Sequence, residues 1–132
     1  MRNLTFLVSL LILISCQQNE EEIYIDPNNP VLGSWSYPIY EDNNTITYER
    51  VSGIIADAYT CTLKNNGNFI EHKNAGWCGT PPISYADFTG NWYQENEKIK
   101  INSEYWGGTF NLTWEIISVN DKNLQIKITY PE

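Results

Sequence analysis

From Val31 onward, hydrophobic and polar residues take turns. "KIKIN" (98 to 102) sets Ile99 and Ile101 against Lys98 and Lys100. "NLTWEI" (111 to 116) sets Leu112, Trp114 and Ile116 against Asn111, Thr113 and Glu115. "NLQIKIT" (123 to 129) sets Leu124, Ile126 and Ile128 against Gln125 and Lys127. A period of two marks strands that pack one face on a core and wet the other. No stretch past residue 30 carries a 3.6-residue apolar stripe, so helices are not expected. Polar breaks separate the runs. Asn66-Gly67 in "KNNGN" (64 to 68) suits a tight hairpin that needs positive φ. "QENEK" (94 to 98), "VNDKN" (119 to 123) and "DNN" (42 to 44) are further breaks, and Gly107-Gly108 marks a bend or bulge. Strands are expected near 33 to 40, 45 to 52, 57 to 64, 68 to 73, 88 to 94, 97 to 102, 109 to 118 and 123 to 129. The stretch 74 to 87 is the one long connection. About eight short antiparallel strands in one all-β domain predict a small up-and-down barrel, with a sandwich as the other closure.

The first thirty residues are of another kind. One positive charge at Arg2 precedes the apolar run "LTFLVSLLILI" (4 to 14). That run is too short for a hydrocarbon core, which needs roughly 20 residues, and therefore predicts an export signal over 1 to 15. No A-x-A site follows. Instead Leu13-Ile14-Ser15-Cys16 resembles the bacterial lipobox, in which the peptidase cuts before a diacylglyceryl cysteine; a plain signal peptide with an incidental cysteine is the plainer alternative. Two or more acyl chains on Cys16 would make the anchoring durable, where one would not. Gln17-Gln18-Asn19-Glu20-Glu21-Glu22 resembles the acidic signal that sends lipoproteins of Bacteroidetes-type bacteria to the outer cell face. The same acidic, polar chain also suits a solvated linker, with the periplasmic leaflet as the other destination. Residues 16 to 30, with Pro27, Asn28, Asn29 and Pro30, suit a flexible tether. The expected organisation is a leader over 1 to 15, a tether over 16 to 30 and a barrel domain over 31 to 132.

Charge narrows the partners. The chain carries 8 basic and 16 acidic residues, a net charge of −8, which argues against nucleic acid or an anionic membrane surface as a direct partner. Membrane attachment is therefore expected through lipid alone, on a monomer. Of the three cysteines, lipidation of Cys16 leaves Cys61 and Cys78, and an oxidising envelope makes a disulfide between them the natural expectation. Such a bridge would stabilise by roughly 3 kcal/mol. Cys61, His72 and Cys78 could be imagined around a metal, but the spacing lacks the C-x-x-C or H-x-x-x-H pairs of a closed coordination sphere, so no metal or other cofactor is expected.

Gly33-Ser34-Trp35 on the first predicted strand, with hairpins throughout, resembles the G-x-W opening of lipocalin-type barrels. Together with "NNGNFIEH", "GWCGTPP" and "FTGNWYQENEKIKI" it is similar to lipocalin-like lipoproteins of Bacteroidetes over residues 31 to 132. The resemblance implies an eight-stranded barrel with Trp35 packed across its closed end and a small ligand within. A second copy, Gly90-Asn91-Trp92, is expected to start the fifth strand. Two departures stand out: the domain, at about 100 residues, is short, and no helix follows the last strand. Short strands would leave a shallow or filled interior.

Catalysis finds little support. His72 is the one histidine, and its neighbour Glu71 falls on the opposite face of a strand. No G-x-S-x-G elbow is present, Glu41-Asp42 lies in a turn, and a two-carboxylate glycosidase leaves no local signature. The expected function is non-catalytic binding. The chain's 5 Trp and 9 Tyr serve first as strand formers and core. Beyond that, Tyr59, Phe69 and Trp114 are candidates to line an apolar cup. Tyr85, Trp77, Tyr105 and Trp106 are candidates for an exposed platform that stacks on glycans, flanked by Asn74 and Asp87. The long 74 to 87 loop is a candidate contact surface for an envelope protein.

Overall fold

The computed structural model describes residues 23–76 and 78–131. The leader, Cys16 with its acidic run, and Trp77 lie outside the described residues. Eight strands follow in order: β1 (Gly33–Tyr40), β2 (Thr45–Val51), β3 (Thr60–Leu63), β4 (Asn68–Asn74), β5 (Tyr85–Glu95), β6 (Lys98–Tyr105), β7 (Gly108–Val119) and β8 (Asn123–Thr129). A single 3-10 turn, Asp42–Asn44, joins β1 to β2. The long connection is shorter than its sequence suggests, because β5 begins at Tyr85 and Ala75 N–H donates to Ser84 O across the loop ends.

The strands close into an antiparallel barrel in the order β1-β2-β8-β7-β6-β5-β4-β3. Closure leaves no sheet edge unpaired, which settles barrel over sandwich. β3 to β8 form a continuous meander. The exchange lies at the front: β1 sits between β2 and β3, so these two flank it in parallel. Residues 52 to 59 must therefore cross over β1 on the outside of the barrel. The crossover buries part of the outer face, and that face is polar. Ser36 Oγ donates to Tyr59 O, Ile55 N–H donates to Thr60 Oγ1, and His72 Nε2 lies 3.0 Å from Ala56 O. Ser36 and Thr60 are fully buried beneath it, tolerable because each finds a partner.

Inside, the period-two alternation holds except at two bulges, between Ser36 and Ile39 in β1 and between Ile116 and Ser118 in β7. Ile99 opposes Trp114, which opposes Ile128; Ile101 opposes Leu112; Ile116 opposes Ile126, which opposes Ile46. The end from which Val31 and the 119–123 turn emerge is closed. Trp35 is 0% exposed and its indole N–H donates to Val31 O at 2.8 Å. The Arg50 guanidinium lies 4.1 Å from the centroid of that indole and donates to the carbonyls of Leu32, Pro30 and Asp121. One β2 side chain thereby ties together β1, the entering segment and the 119–123 turn.

The two Gly-x-Trp triplets both need their glycine, for unrelated reasons. Gly33 has φ +120°, a conformation that L side chains rarely adopt. Gly90 lies against β6 so closely that a Cβ would fall 2.0 Å from the Asn102 carbonyl oxygen. It stands in the middle of β5 and not at its start, so the two triplets do not head equivalent halves of the barrel. Trp92, buried in the core opposite Ile101, closes the β3–β4 turn from within: its indole donates to Lys64 O at 2.8 Å, and its backbone N–H to Gly67 O at 2.9 Å.

The expected disulfide does not form; both cysteines are free thiols. Cys61 opposes Trp35 and Glu71 on the inner face and is fully buried, whereas Cys78 is exposed on the 75–84 connection. The barrel wall separates them, and burial pushes the Cys61 thiol well above its ordinary range. His72 opposes Thr60 and Asp87 on the outer face, so it cannot join Cys61 around an ion either.

Candidate functional site

Away from the closed end the barrel is hollow. A cavity of about 890 Å³ opens between the β1–β2 turn, the β6–β7 turn and the end of β8, within the range of small-molecule pockets. Seven aromatic side chains line it: Tyr40, Tyr48, Tyr59, Tyr105, Phe110, Trp114 and Tyr130, with Ile46, Leu112 and Ile128 between them. Strand parity explains the set, since Ile46 and Tyr48, Phe110 to Trp114 and Ile128 are alternate residues of neighbouring strands. A bulge between Ser36 and Ile39 in β1, with Tyr37 at φ 49°, resets the phase so that Tyr40 opposes Ile46.

The rings form a ladder from mouth to core. Tyr59 stacks on Tyr48 at 6.1 Å between centroids, Tyr48 on Trp114 at 5.6 Å, and Phe69 meets Trp114 edge-on at 6.0 Å. Of the three residues read as cup, Tyr59 and Trp114 line the cavity, and Phe69 lies behind Trp114 as its support. Burial holds the Tyr48 and Tyr59 phenols well above their ordinary pKa, with Cys61 and Glu71 nearby adding to the effect, so both face the cavity as neutral hydroxyls.

One carboxylate reaches the interior that sequence reasoning did not single out. Glu71 accepts from Tyr59 OH at 2.8 Å and from Lys73 Nζ at 2.6 Å. Lys73 is on the same inner face, two residues on, and its ammonium lies 5.1 Å from the Phe88 ring centroid and 4.7 Å from that of Phe110. Alternation from Phe69 was the available signal, because Glu71 and Lys73 share its parity on β4. The Trp114 indole N–H is buried with no hydrogen-bond partner among the described residues. Such a donor normally has one.

Of the platform candidates, the three among the described residues, Tyr85, Tyr105 and Trp106, do not assemble into one face. Tyr105 and Trp106 meet at 84°, edge to face, and only Trp106, at 58% exposed, is fully at the surface turn. Tyr85 stacks instead on His72 at 5.4 Å and 12°. Asp87 is engaged too, lying 2.6 Å from His72 Nδ1, and Asn74 Nδ2 donates to Cys78 O. The His72 and Asp87 side chains belong to the outer wall, on the far side of the sheet from the cavity. Among the described residues no helix is long and apolar enough to cross a membrane. No protein-family model, curated protein or solved structure matches the chain.

Proposed function

We propose that this protein is a lipid-anchored lipoprotein of the outer membrane, displayed at the cell surface, whose lipocalin-like barrel holds a small, largely apolar ligand without transforming it. The observation that carries the proposal is the open cavity of about 890 Å³ walled by seven aromatic rings. An apolar guest of that size would remove its surface from water at about 25 cal/mol per Å². The Tyr59, Glu71 and Lys73 side chains are engaged with one another, which favours holding a guest over reacting with it.

Acylation at Cys16 would set the orientation. The chain leading from Cys16 joins the barrel at the closed end, where Arg50 grips the Pro30 and Leu32 carbonyls. A tether from that end leaves the mouth facing away from the anchoring membrane.

Two measurements test the proposal. Cells fed radioactive palmitate should label the wild type and not Cys16→Ala, and equal labelling of the two removes the anchor. Titration with a neutral apolar molecule such as 1-decanol should change tryptophan fluorescence in the wild type and much less in Trp114→Phe. An unchanged wild-type spectrum, with calorimetry showing no heat, removes the pocket.

A further inference from the structure

The charges around the cavity are of one sign. Glu41, Asp42 and Glu71 line it, and among the described residues no lysine, arginine or histidine does. Glu41 is held in place, accepting from Thr47 Oγ1 and from Gln125 Nε2, both at 3.2 Å. The nearest cation, Lys73, is already in contact with Glu71. A carboxylate ligand would meet Glu41 and Asp42 at the mouth, while the nearest counter-charge, Lys73, is already paired with Glu71. The aromatic faces add to this preference, because a ring presents its negative quadrupole face to what lies over it.

Lys73 itself shows what the wall accepts. Its ammonium rests between a carboxylate 2.6 Å away and two phenyl rings at 4.7 and 5.1 Å. The larger cavity repeats these elements with seven rings in place of two and with Glu41, Asp42 and Glu71 around them.

We infer that the guest is a hydrophobic organic cation, an alkyl- or arylammonium whose positive group is held among the cavity's carboxylates and tyrosine rings and whose apolar body lies on Trp114. The inference rests on the pocket proposed above and narrows its chemistry. The barrel then selects by charge as well as by size. Neutral analogues bind through burial alone, and anions of the same length are excluded.

Calorimetric titration of the purified protein with decyltrimethylammonium, 1-decanol and decanoate, each below its aggregation concentration, tests this. The cation should bind about tenfold more tightly than the alcohol, a ratio in keeping with a desolvated cation–ring contact, and decanoate most weakly. Glu71→Gln and, separately, Glu41→Gln with Asp42→Asn should each lower the cation-to-alcohol ratio. The mouth pair is exposed and leaves the core untouched, so loss of folding cannot mimic its effect. Alcohol binding as tight as the cation, or decanoate tightest, overturns the inference and leaves the pocket standing. Binding of none of the three overturns both.

Discussion

The two ends of this barrel treat the same side chain in opposite ways. At the closed end Trp35 is fully buried, its N–H bonded to Val31 O, its face covered by Arg50. At the base of the cavity Trp114 is equally buried, yet its N–H has no partner among the described residues and its neighbours are rings that lead out to solvent. A buried donor left unpaired costs on the order of 1–3 kcal/mol. The closed end is thus organised for stability. The mouth keeps apolar surface and polar capacity unspent, the state expected of a site that is completed by something else.

The contrast can be broken by substitution. The largest effect is expected for Trp35→Ala, which empties the closed end and should lower unfolding free energy by about 3–5 kcal/mol in denaturant melts. A loss under about 1 kcal/mol would show that the closed end is not the stabilising half. Arg50→Met keeps much of the side-chain volume but strands the carbonyls of Leu32, Pro30 and Asp121. Its expected cost is roughly 2 kcal/mol, read in the same melts.

A smaller and pH-dependent effect belongs to His72. Burial by itself disfavours the imidazolium, but the Ala56 carbonyl and the Asp87 carboxylate, one at each ring nitrogen, outweigh it and raise the pKa. A group whose pKa is raised by folding stabilises fully below its unfolded value of about 6.5, and that stabilisation fades as pH rises through the folded value. The melting temperature of the wild type should therefore exceed that of His72→Gln by more at about pH 5.5 than at about pH 9. An equal difference at both would mean that His72 fastens the crossover uncharged. Least of all should Tyr130→Ala disturb the fold: the residue is 64% exposed at the rim, and its stability change should stay within about 0.5 kcal/mol. Its effect should appear as weaker binding of 1-decanol in the fluorescence titration.

Much of the architecture could be read along the chain. The residues that alternate in "KIKIN", "NLTWEI" and "NLQIKIT" are the ones that face inward, and Asn66-Gly67 does turn a hairpin, with Gly67 at φ +86°. Local periodicity suffices there because each strand has only two faces. The cup residues Tyr59 and Trp114 followed from the same pattern. Glu71 and Lys73 did not, because a charged residue at an inward position reads from sequence as solvent-facing until its partners are known. The pairing of Cys61 with Cys78 failed for a related reason. Parity put Cys61 inside, but only the position of the 75–84 connection reveals that Cys78 is outside.

What the order of residues determined was the strand set, the inward and outward faces and an acidic surface, all of them consequences of neighbours a few positions apart. Tertiary structure decided the place of β1 between β2 and β3, the burial of polar Ser36, Thr60 and His72 beneath the crossover, and the division of the interior into a filled half and a hollow one. Those features depend on contacts between residues distant in sequence, such as Arg50 with Asp121 and Tyr48 with Trp114. They exist only once closing the barrel has brought its first strands against its last.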